Sequence, residues 1–226
     1  MNKVRIGEVA TLRPKLPLGA GENASAPVAF TAMADIGEDG RVQNIQERKL
    51  EEVKKGFTYF SKGDVLLAKI TPCMENGKAA YINELPHDHG FGSTEFHVIR
   101  PGDQIDGKYL FYALWNAEFR AIAKNNMKGA AGQKRLPASY IEDHEVSLPP
   151  LPEQKRIAAI LDKADAIRRK RQETLTLTEN LIQATFLDMF GRSLDKDSRY
   201  PEQQLKDVVK EDTIVTYGIV QAGPEF

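Results

Sequence analysis

The feature that most constrains the fold is the stretch between Glu153 and Phe190, which contains no glycine and no proline. Nothing in this stretch breaks a helix. At about 1.5 Å per residue it predicts a single helix roughly 57 Å long, whereas helices of globular proteins average about 11–12 residues. Pro149 and Pro150 favour extended backbone just before the helix. Pro152 suits the first turn of the helix, where a missing N–H costs nothing.

The apolar residues of this stretch recur at steps of three and four, which places them on one face of the helix. Arg171 and Thr174 interrupt the pattern midway. One small domain cannot cover a stripe of this length, so we expect a partner helix, in a longer chain or on another subunit. An ordinary core helix is the alternative. The predicted helix–helix interface consists of Ile157, Ile160, Leu161, Ala164, Ile167, Leu175, Leu181 and Ile182.

Composition is typical of a globular protein. The 226 residues are 41% hydrophobic and 28% charged, enough for one large or two small domains. A single cysteine excludes an internal disulfide and suits a reducing compartment. No run approaches the ~18 apolar residues of a membrane span, and the N-terminus lacks the apolar core of a signal peptide. We therefore expect a cytoplasmic protein with no membrane partner.

The distribution of charge is more informative than its sum, which is −1. Residues 119–141 contain lysine and arginine but no acidic residue, and residues 153–173 are mainly basic. Local positive fields of this kind attract phosphate whatever the net charge. A solvated basic face is the alternative interpretation.

Before the long helix, the pattern predicts an α+β domain over residues 1–148. Residues 108–124 place large apolar side chains on one helical face, and residues 125–135 form a basic, glycine-containing loop. Apolar or alternating runs bounded by turn residues predict strands at residues 28–36, 64–70, 78–82, 94–99 and 145–148.

Patterns that suggest catalysis or metal binding are incomplete. His87 and His89 form a His-x-His pair, but four-ligand zinc spacing is absent. Asp64 and Glu75 precede lysines without the acid-x-lysine spacing of common nucleases, and two-metal cleavage needs several converging carboxylates. No glycine-rich phosphate loop follows a strand. We therefore predict no catalytic residue and no metal site.

DNA recognition needs only common side chains. Cations and hydroxyls bind phosphates, and Arg, Lys, Gln or Asn can hydrogen-bond to base edges. Two loops, residues 71–78 and 128–135, have such residues, and glycines in the second allow close backbone approach. For each residue, solvation at a loop tip is the alternative. The predicted DNA-binding residues are Lys69, Thr71, Asn76, Lys78, Ser93, Thr94, Lys128, Gln133, Lys134 and Arg135.

Three segments resemble one known family. The sequence LPPLPEQKRI at residues 148–157, followed by Leu161 and Asp162, is similar to the signature of the specificity subunits of type I restriction-modification enzymes. GDVLLAKITPCMENGK at residues 63–78 and GSTEFHVIRP at residues 92–101 resemble recurrent blocks of that family's target-recognition domains. Together these matches extend over most of residues 1–190.

The resemblance implies a domain organisation. Residues 1–148 would be a target-recognition domain, and residues 149–191 a conserved long helix for spacing and subunit docking. Residues 192–226 would be a linker and the truncated start of a second target-recognition domain. Because the family has two long helices that pack antiparallel, we expect an α+β fold followed by one long helix that forms an antiparallel coiled coil with a partner helix.

The resemblance also implies a function: non-catalytic recognition of one half of a bipartite target in double-stranded DNA, and positioning of modification (methyltransferase) and restriction subunits. S-adenosylmethionine, ATP and Mg²⁺ would be bound by those partner subunits and no cofactor by this chain. With one recognition domain present, two copies could also pair through the helix as a homodimer. The alternative is a coiled-coil assembly or scaffold protein whose globular domain binds protein.

Overall fold

A computed structural model of the chain describes residues 3–21, 23–130, 132–190, 203–204, 214–216 and 219–221. The chain divides into two compact units, Met1–Asp165 and Ala166–Phe226. The predicted domain bounds at residues 148 and 191 stay predictions. Residues 192–226, predicted as a linker and the truncated start of a second recognition domain, lie outside the described residues except for 203–204, 214–216 and 219–221.

The first unit is a mixed α+β structure, and the fold-class prediction of such a structure followed by a long helix is confirmed. The long helix continues from the first unit into the second, which also has two short paired strands. In chain order the elements are β1 (Lys3–Arg5), α1 (Ile6–Val9), β2 (Ala10–Leu12), β3 (Pro27–Thr31), β4 (Gln46–Lys49), α2 (Leu50–Val53), β5 (Thr58–Phe60), β6 (Val65–Ala68), β7 (Ala79–Tyr81), β8 (Gly90–Gly92), β9 (Phe96–Pro101), α3 (Gly107–Trp115), α4 (Ala117–Asn125), α5 (Ala138–Asp143), β10 (Glu145–Ser147), α6 (Leu151–Phe190), β11 (Ile214–Thr216) and β12 (Ile219–Gln221).

Two four-stranded sheets form the centre of the first unit. The first has the order β2-β9-β6-β7 and is antiparallel throughout. The second has the order β4-β3-β8-β5, in which only β3 and β8 run parallel. A separate antiparallel pair, β1 with β10, joins the N-terminus to the segment that precedes α6.

Strand β6 connects the layers because its residues are buried on both faces of the sheet. Leu66 packs in a cluster with Phe60 of the second sheet, so the two sheets lie face to face. Leu67 belongs to the cluster that includes Leu110 of α3 and is completed by residues of α4 and α5. Helix α2 packs against the second sheet through a third cluster.

The glycines of β8 leave room for two aromatic rings, one from the same sheet and one from the first sheet. A Cβ on Gly90 would lie 2.5 Å from the ring of Phe60, and one on Gly92 would lie 3.2 Å from the ring of Phe96. Larger residues at these positions would displace aromatic rings from the core between the sheets. The short, glycine-rich composition of β8 also explains why sequence patterns do not predict this strand.

The other predicted strands are confirmed in place. β6, β7 and β10 are shorter than predicted, whereas β9 lies two residues further along the chain than the predicted strand. The strand predicted over residues 28–36 ends at Thr31, because a 3-10 turn follows at Met33–Asp35. The Asp35 carboxylate accepts the backbone N–H of Ala32 at 2.9 Å and stabilises this turn.

The prediction of a single helix over residues 108–124 is wrong, because two helices, α3 and α4, occupy this range. Asn116 adopts extended backbone angles, with φ −69° and ψ 156°, and separates α3 from α4. Its side chain accepts the backbone N–H of Phe119 at 2.7 Å and caps the second helix. The apolar spacing is helical on both sides of this break, so periodicity alone does not detect it.

The start of α6 is anchored by Gln154, which is fully buried. Its Oε1 accepts the backbone N–H of Asp106 at 2.8 Å, and its Nε2 donates to the carbonyls of Gln104 at 3.0 Å and Pro149 at 2.8 Å. One side chain thus satisfies three backbone groups from two segments. One turn and two turns later, on the same helical face, Ala158 is buried and Asp162 accepts hydrogen bonds from α3.

Replacement of Gln154 by leucine should lower the free energy of unfolding by about 3 kcal/mol, because three backbone groups lose a hydrogen-bond partner at a buried site. Urea unfolding, followed by fluorescence of Trp115, the chain's one tryptophan, measures this change. The control is Gln172→Leu, at an exposed position of the same helix, which should change stability by less than about 0.5 kcal/mol. Equal midpoints for the two variants would show that Gln154 is not an anchor.

Candidate nucleic-acid interface

The candidate interface begins where β6 ends and β9 starts. In this antiparallel pair Ala68 lies opposite Phe96, so the residues that follow β6 lie beside those that precede β9. The backbone N–H of Lys69 donates to the carbonyl of Glu95 at 2.9 Å. Sheet pairing therefore brings together two of the predicted DNA-binding segments.

The second predicted loop lies along the other side of the residues that follow β6. The backbone N–H of Leu136 donates to the carbonyl of Lys69 at 2.8 Å, and that of Thr71 donates to the carbonyl of Lys134 at 2.9 Å. The Lys134 N–H in turn donates to Thr71 Oγ1 at 3.2 Å. We call residues 69–78, 93–95, 128–130 and 132–136 together the loop cluster.

Six of the predicted DNA-binding side chains are exposed on the loop cluster: Asn76, Thr94, Lys128, Gln133, Lys134 and Arg135. The backbone of Arg135 exchanges two hydrogen bonds with that of Lys128, at 2.8 and 2.9 Å. The loop therefore folds back on itself as a short two-stranded ladder. This ladder presents both lysines and the glutamine from a fixed backbone.

Some of the predicted residues already have partners within the protein. Asn76 Nδ2 donates to Glu38 at 2.8 Å, and Lys78 Nζ donates to the carbonyl of Met33 at 3.2 Å. Ser93 Oγ accepts the backbone N–H of Glu95 at 3.1 Å. These contacts give the three side chains a role in holding the loops, and their contribution to DNA binding stays a prediction.

Carboxylates are the part of the loop cluster that sequence reasoning missed. Besides Glu38, Glu75 forms an ion pair with Lys124 at 2.7 Å, and Glu95 pairs with Arg135. Hydrogen bonding from Arg135 lowers the pKa of Glu95, and the same contact raises the pKa of Arg135. No spacing in the sequence links these residues, because each pair joins segments that are distant along the chain.

Lys69, another of the predicted DNA-binding residues, is half-buried in the loop cluster. Burial is the largest cause that lowers its pKa, and the charges of Arg13 and Arg135 lower it further, while that of Glu95 raises it. Arg13 follows β2, has a positive φ of 54° and is exposed. It was not among the predicted residues, and its backbone N–H bonds to Val98 of β9 at 2.8 Å, which places it at the same end of the sheet.

His97 fixes the base of the second loop from inside the core. It is 1% exposed, and its Nε2 lies 2.8 Å from the carbonyl of Leu136. Since a carbonyl only accepts, Nε2 carries the proton. Burial, with smaller contributions from Lys69 and Arg13, lowers the pKa of His97 to about 4. The ring is therefore neutral near pH 7 and acts as a hydrogen-bond donor to the loop.

The described residues offer no group of three or more His, Cys, Asp or Glu side chains placed to hold a metal ion. His87 instead pairs with Glu47 at 2.8 Å, and His89 Nδ1 lies 3.2 Å from the hydroxyl of Tyr59. Among the helices that the structure describes, none is both long enough and apolar enough to cross a membrane.

The predicted helix–helix interface forms a second candidate surface, on α6. Ile157 is half-buried, whereas Ile160, Ile167 and Leu181 are 51%, 69% and 66% exposed. The other predicted interface residues, Leu161, Ala164, Leu175 and Ile182, are exposed as well. This apolar face differs from the face of Gln154, Ala158 and Asp162 that packs against α3.

Comparison with known proteins gives a family match over most of the chain. The family model of the type I restriction modification DNA specificity domain matches residues 1–177. The EcoEI specificity subunit of Escherichia coli is 32% identical over 185 residues, which are 80% of this chain and 31% of that protein. The EcoAI specificity subunit of E. coli is 35% identical over 182 residues, 77% of this chain and 30% of that protein. The chain thus spans about a third of the length of these curated relatives.

Solved structures share the fold. The HsdS subunit from Thermoanaerobacter tengcongensis superimposes with a TM-score of 0.58 at 22% identity, over 88% of this chain and 51% of that one. A chain from a structural study of complex assembly and conformational transition of the type I R-M system superimposes with a TM-score of 0.64 at 23% identity, with the same coverage. The arrangement of sheets and long helix is therefore that of specificity subunits.

Acid should destabilise the protein through His97. An unfolded chain binds this proton at a pKa near 6.5 and the folded chain only near 4, so the unfolded state holds more protons between those values. The stabilisation is complete above pH 6.5 and is lost as the pH falls toward 4, by up to about 3 kcal/mol. His97→Gln keeps a donor for Leu136 and should unfold with a flatter pH dependence over this interval. Identical pH profiles of the unfolding free energy would contradict this assignment.

Proposed function

We propose that this chain, which belongs to the type I restriction modification DNA specificity family, recognises one half of a bipartite target in double-stranded DNA. The observation that carries the proposal is the loop cluster, in which sheet pairing brings together two predicted DNA-binding segments and backbone hydrogen bonds attach a third. Lys128 and Lys134 offer cations for phosphates, and Gln133 beside them offers an amide that can reach a base edge.

The proposed role is non-catalytic. The family match concerns DNA specificity rather than a reaction. Methyl transfer and cleavage would belong to modification and restriction subunits, which would bind S-adenosylmethionine, ATP and Mg²⁺. The chain would act with them in the cytoplasm.

The exposed apolar face of α6 supports a helical partner. Contiguous exposed leucine and isoleucine side chains are costly in water and mark interaction surfaces. In the proposed arrangement this face packs antiparallel against a second long helix, in a fuller chain or in a second copy, and the helix length sets the distance between half-sites, as dimer geometry does in other DNA-binding proteins. The family match does not favour the alternative of a scaffold protein that binds only protein.

Selection from randomised duplex DNA, with and without the modification subunit, tests the recognition function. We expect enrichment of a motif. A palindromic motif with a fixed spacer would indicate a homodimer. A single half-site would indicate one recognition domain per assembly. Lys128→Met should weaken binding to all sequences alike and reduce the slope of log affinity against log salt by about 1. Lys55→Met, at an exposed lysine that follows α2, is the matched control and should change neither. Failure to enrich any motif in both conditions would contradict DNA recognition.

Light scattering at tens of micromolar tests pairing through α6. The chain should be a dimer, and Ile182→Asp should convert it to a monomer, because a carboxylate in an apolar helix interface is left without a partner. Gln183→Asp, at an exposed position beside the apolar stripe, should leave the dimer intact. A wild-type monomer would contradict the homodimer, and a monomer for both variants would show that the effect is not specific to the stripe.

A further inference from the structure

The side chain of Arg135 is held in a defined orientation on the loop cluster. Its Nε donates to both carboxylate oxygens of Glu95, at 3.0 and 3.1 Å, and its Nη2 donates to Oε1 at 2.9 Å. Its Nη1 donates to the carbonyl of Gln133 at 3.3 Å. All three guanidinium nitrogens are thus fixed by groups of the protein.

These contacts leave part of the guanidinium available. Arginine has five N–H donors in one plane: one on Nε and two on each Nη. After the bonds to Glu95 and Gln133, one N–H remains on Nη1 and one on Nη2, the two nitrogens at the end of the fork. The side chain is 45% exposed, and these two N–H groups are the donors that a ligand with two acceptors side by side would use.

The backbone that carries Arg135 is fixed as well. Its N–H and C=O both bond to Lys128, at 2.8 and 2.9 Å, and it lies in an antiparallel bridge with Ile70 at the end of β6. The neighbouring Leu136 is held by the buried His97. Because backbone and side chain are both preorganised, little conformational entropy is lost when a ligand binds.

In DNA, two ligands present paired acceptors: a phosphate, and the O6 and N7 atoms of guanine in the major groove. The charge of Glu95 decides between them. Its carboxylate lies about 3 Å from the guanidinium, offsets its positive charge and would repel a phosphate held nearby. Guanine is uncharged, so its acceptors receive both hydrogen bonds without this repulsion.

We infer that Arg135 recognises one guanine of the target through its O6 and N7 atoms, and that Glu95 is the positioning residue that orients the arginine for this contact. The inference rests on the proposed DNA-recognition function and deepens it, because it assigns one base and separates a base-contacting residue from the phosphate-contacting lysines beside it. Glu95 touches no DNA in this arrangement and acts only through Arg135.

Replacement of single guanines by 7-deazaguanine, which lacks the N7 acceptor, tests the contact. In the motif selected by the wild-type chain, one guanine should lose roughly tenfold in affinity when its N7 is removed, in line with the loss of half of a bidentate contact. Arg135→Met, which keeps an unbranched side chain, should bind the normal and the modified duplex equally well at that position. Lys134→Met, at the adjacent exposed lysine, should bind both more weakly and keep the tenfold difference.

Glu95→Gln tests the positioning role, because glutamine keeps the size and one acceptor but removes the charge. Affinity for the selected motif should fall severalfold while affinity for random duplex rises, since the repulsion of phosphates is removed. A merely structural loss would lower both affinities together and would overturn the role assigned to Glu95. Urea unfolding of each variant at the wild-type midpoint shows that the fold is retained.

Two further outcomes separate this inference from the proposed function. If the wild-type chain selects a motif but no guanine in it is sensitive to 7-deazaguanine, or if Arg135→Met keeps the sensitivity, the guanine contact is overturned and DNA recognition stands. If the wild-type chain selects no motif with or without the modification subunit, the guanine contact and the proposed DNA recognition are both overturned.

Discussion

The antiparallel pairing of β6 with β9 is the contact on which the rest of the first unit depends. It buries both strands between the other sheet and the helices, and it places the segment after β6 beside the segment before β9. The same pairing therefore builds the core and the loop cluster. Mutations that disturb this register would shift candidate DNA-binding groups even though they lie within the hydrophobic core, because a one-residue slip exchanges the two faces of a strand.

The loop cluster carries five lysine or arginine residues and two glutamates, and carboxylates hold several of its side chains. Glu38, Glu75 and Glu95 each hold a polar side chain from another segment. The net charge of the whole chain is −1, so attraction for phosphate depends on local groups such as the lysines of the loop cluster rather than on the sum. Under the proposed function, preference for a sequence would depend on hydrogen-bond geometry at few positions. Lys128 and Lys134 are exposed, whereas Arg135 is held by Glu95, and the proposed difference between phosphate and base contacts rests on this.

The long helix has two faces with different roles. Near its start, one face is committed to the first unit through Gln154, whose side chain binds three backbone groups. The apolar stripe lies on another face and stays exposed in the second unit. Because one face anchors and another is exposed, packing on the first unit and the proposed packing on a second helix would not compete.

Sequence alone determined the features that depend on neighbouring residues. The absence of glycine and proline after Glu153 predicted the long helix, apolar runs predicted the central strands, and loop composition identified the three segments of the candidate interface. Tertiary structure decided the features that depend on residues distant along the chain: the pairing of Arg135 with Glu95, the support of Leu136 by His97, and the glycine-rich strand β8 between aromatic rings. The break at Asn116 was also missed, because apolar periodicity reports the buried face of a helix and not the hydrogen bonds that end it. Local patterns fix which elements form, whereas long-range hydrogen bonds and packing fix which side chains meet.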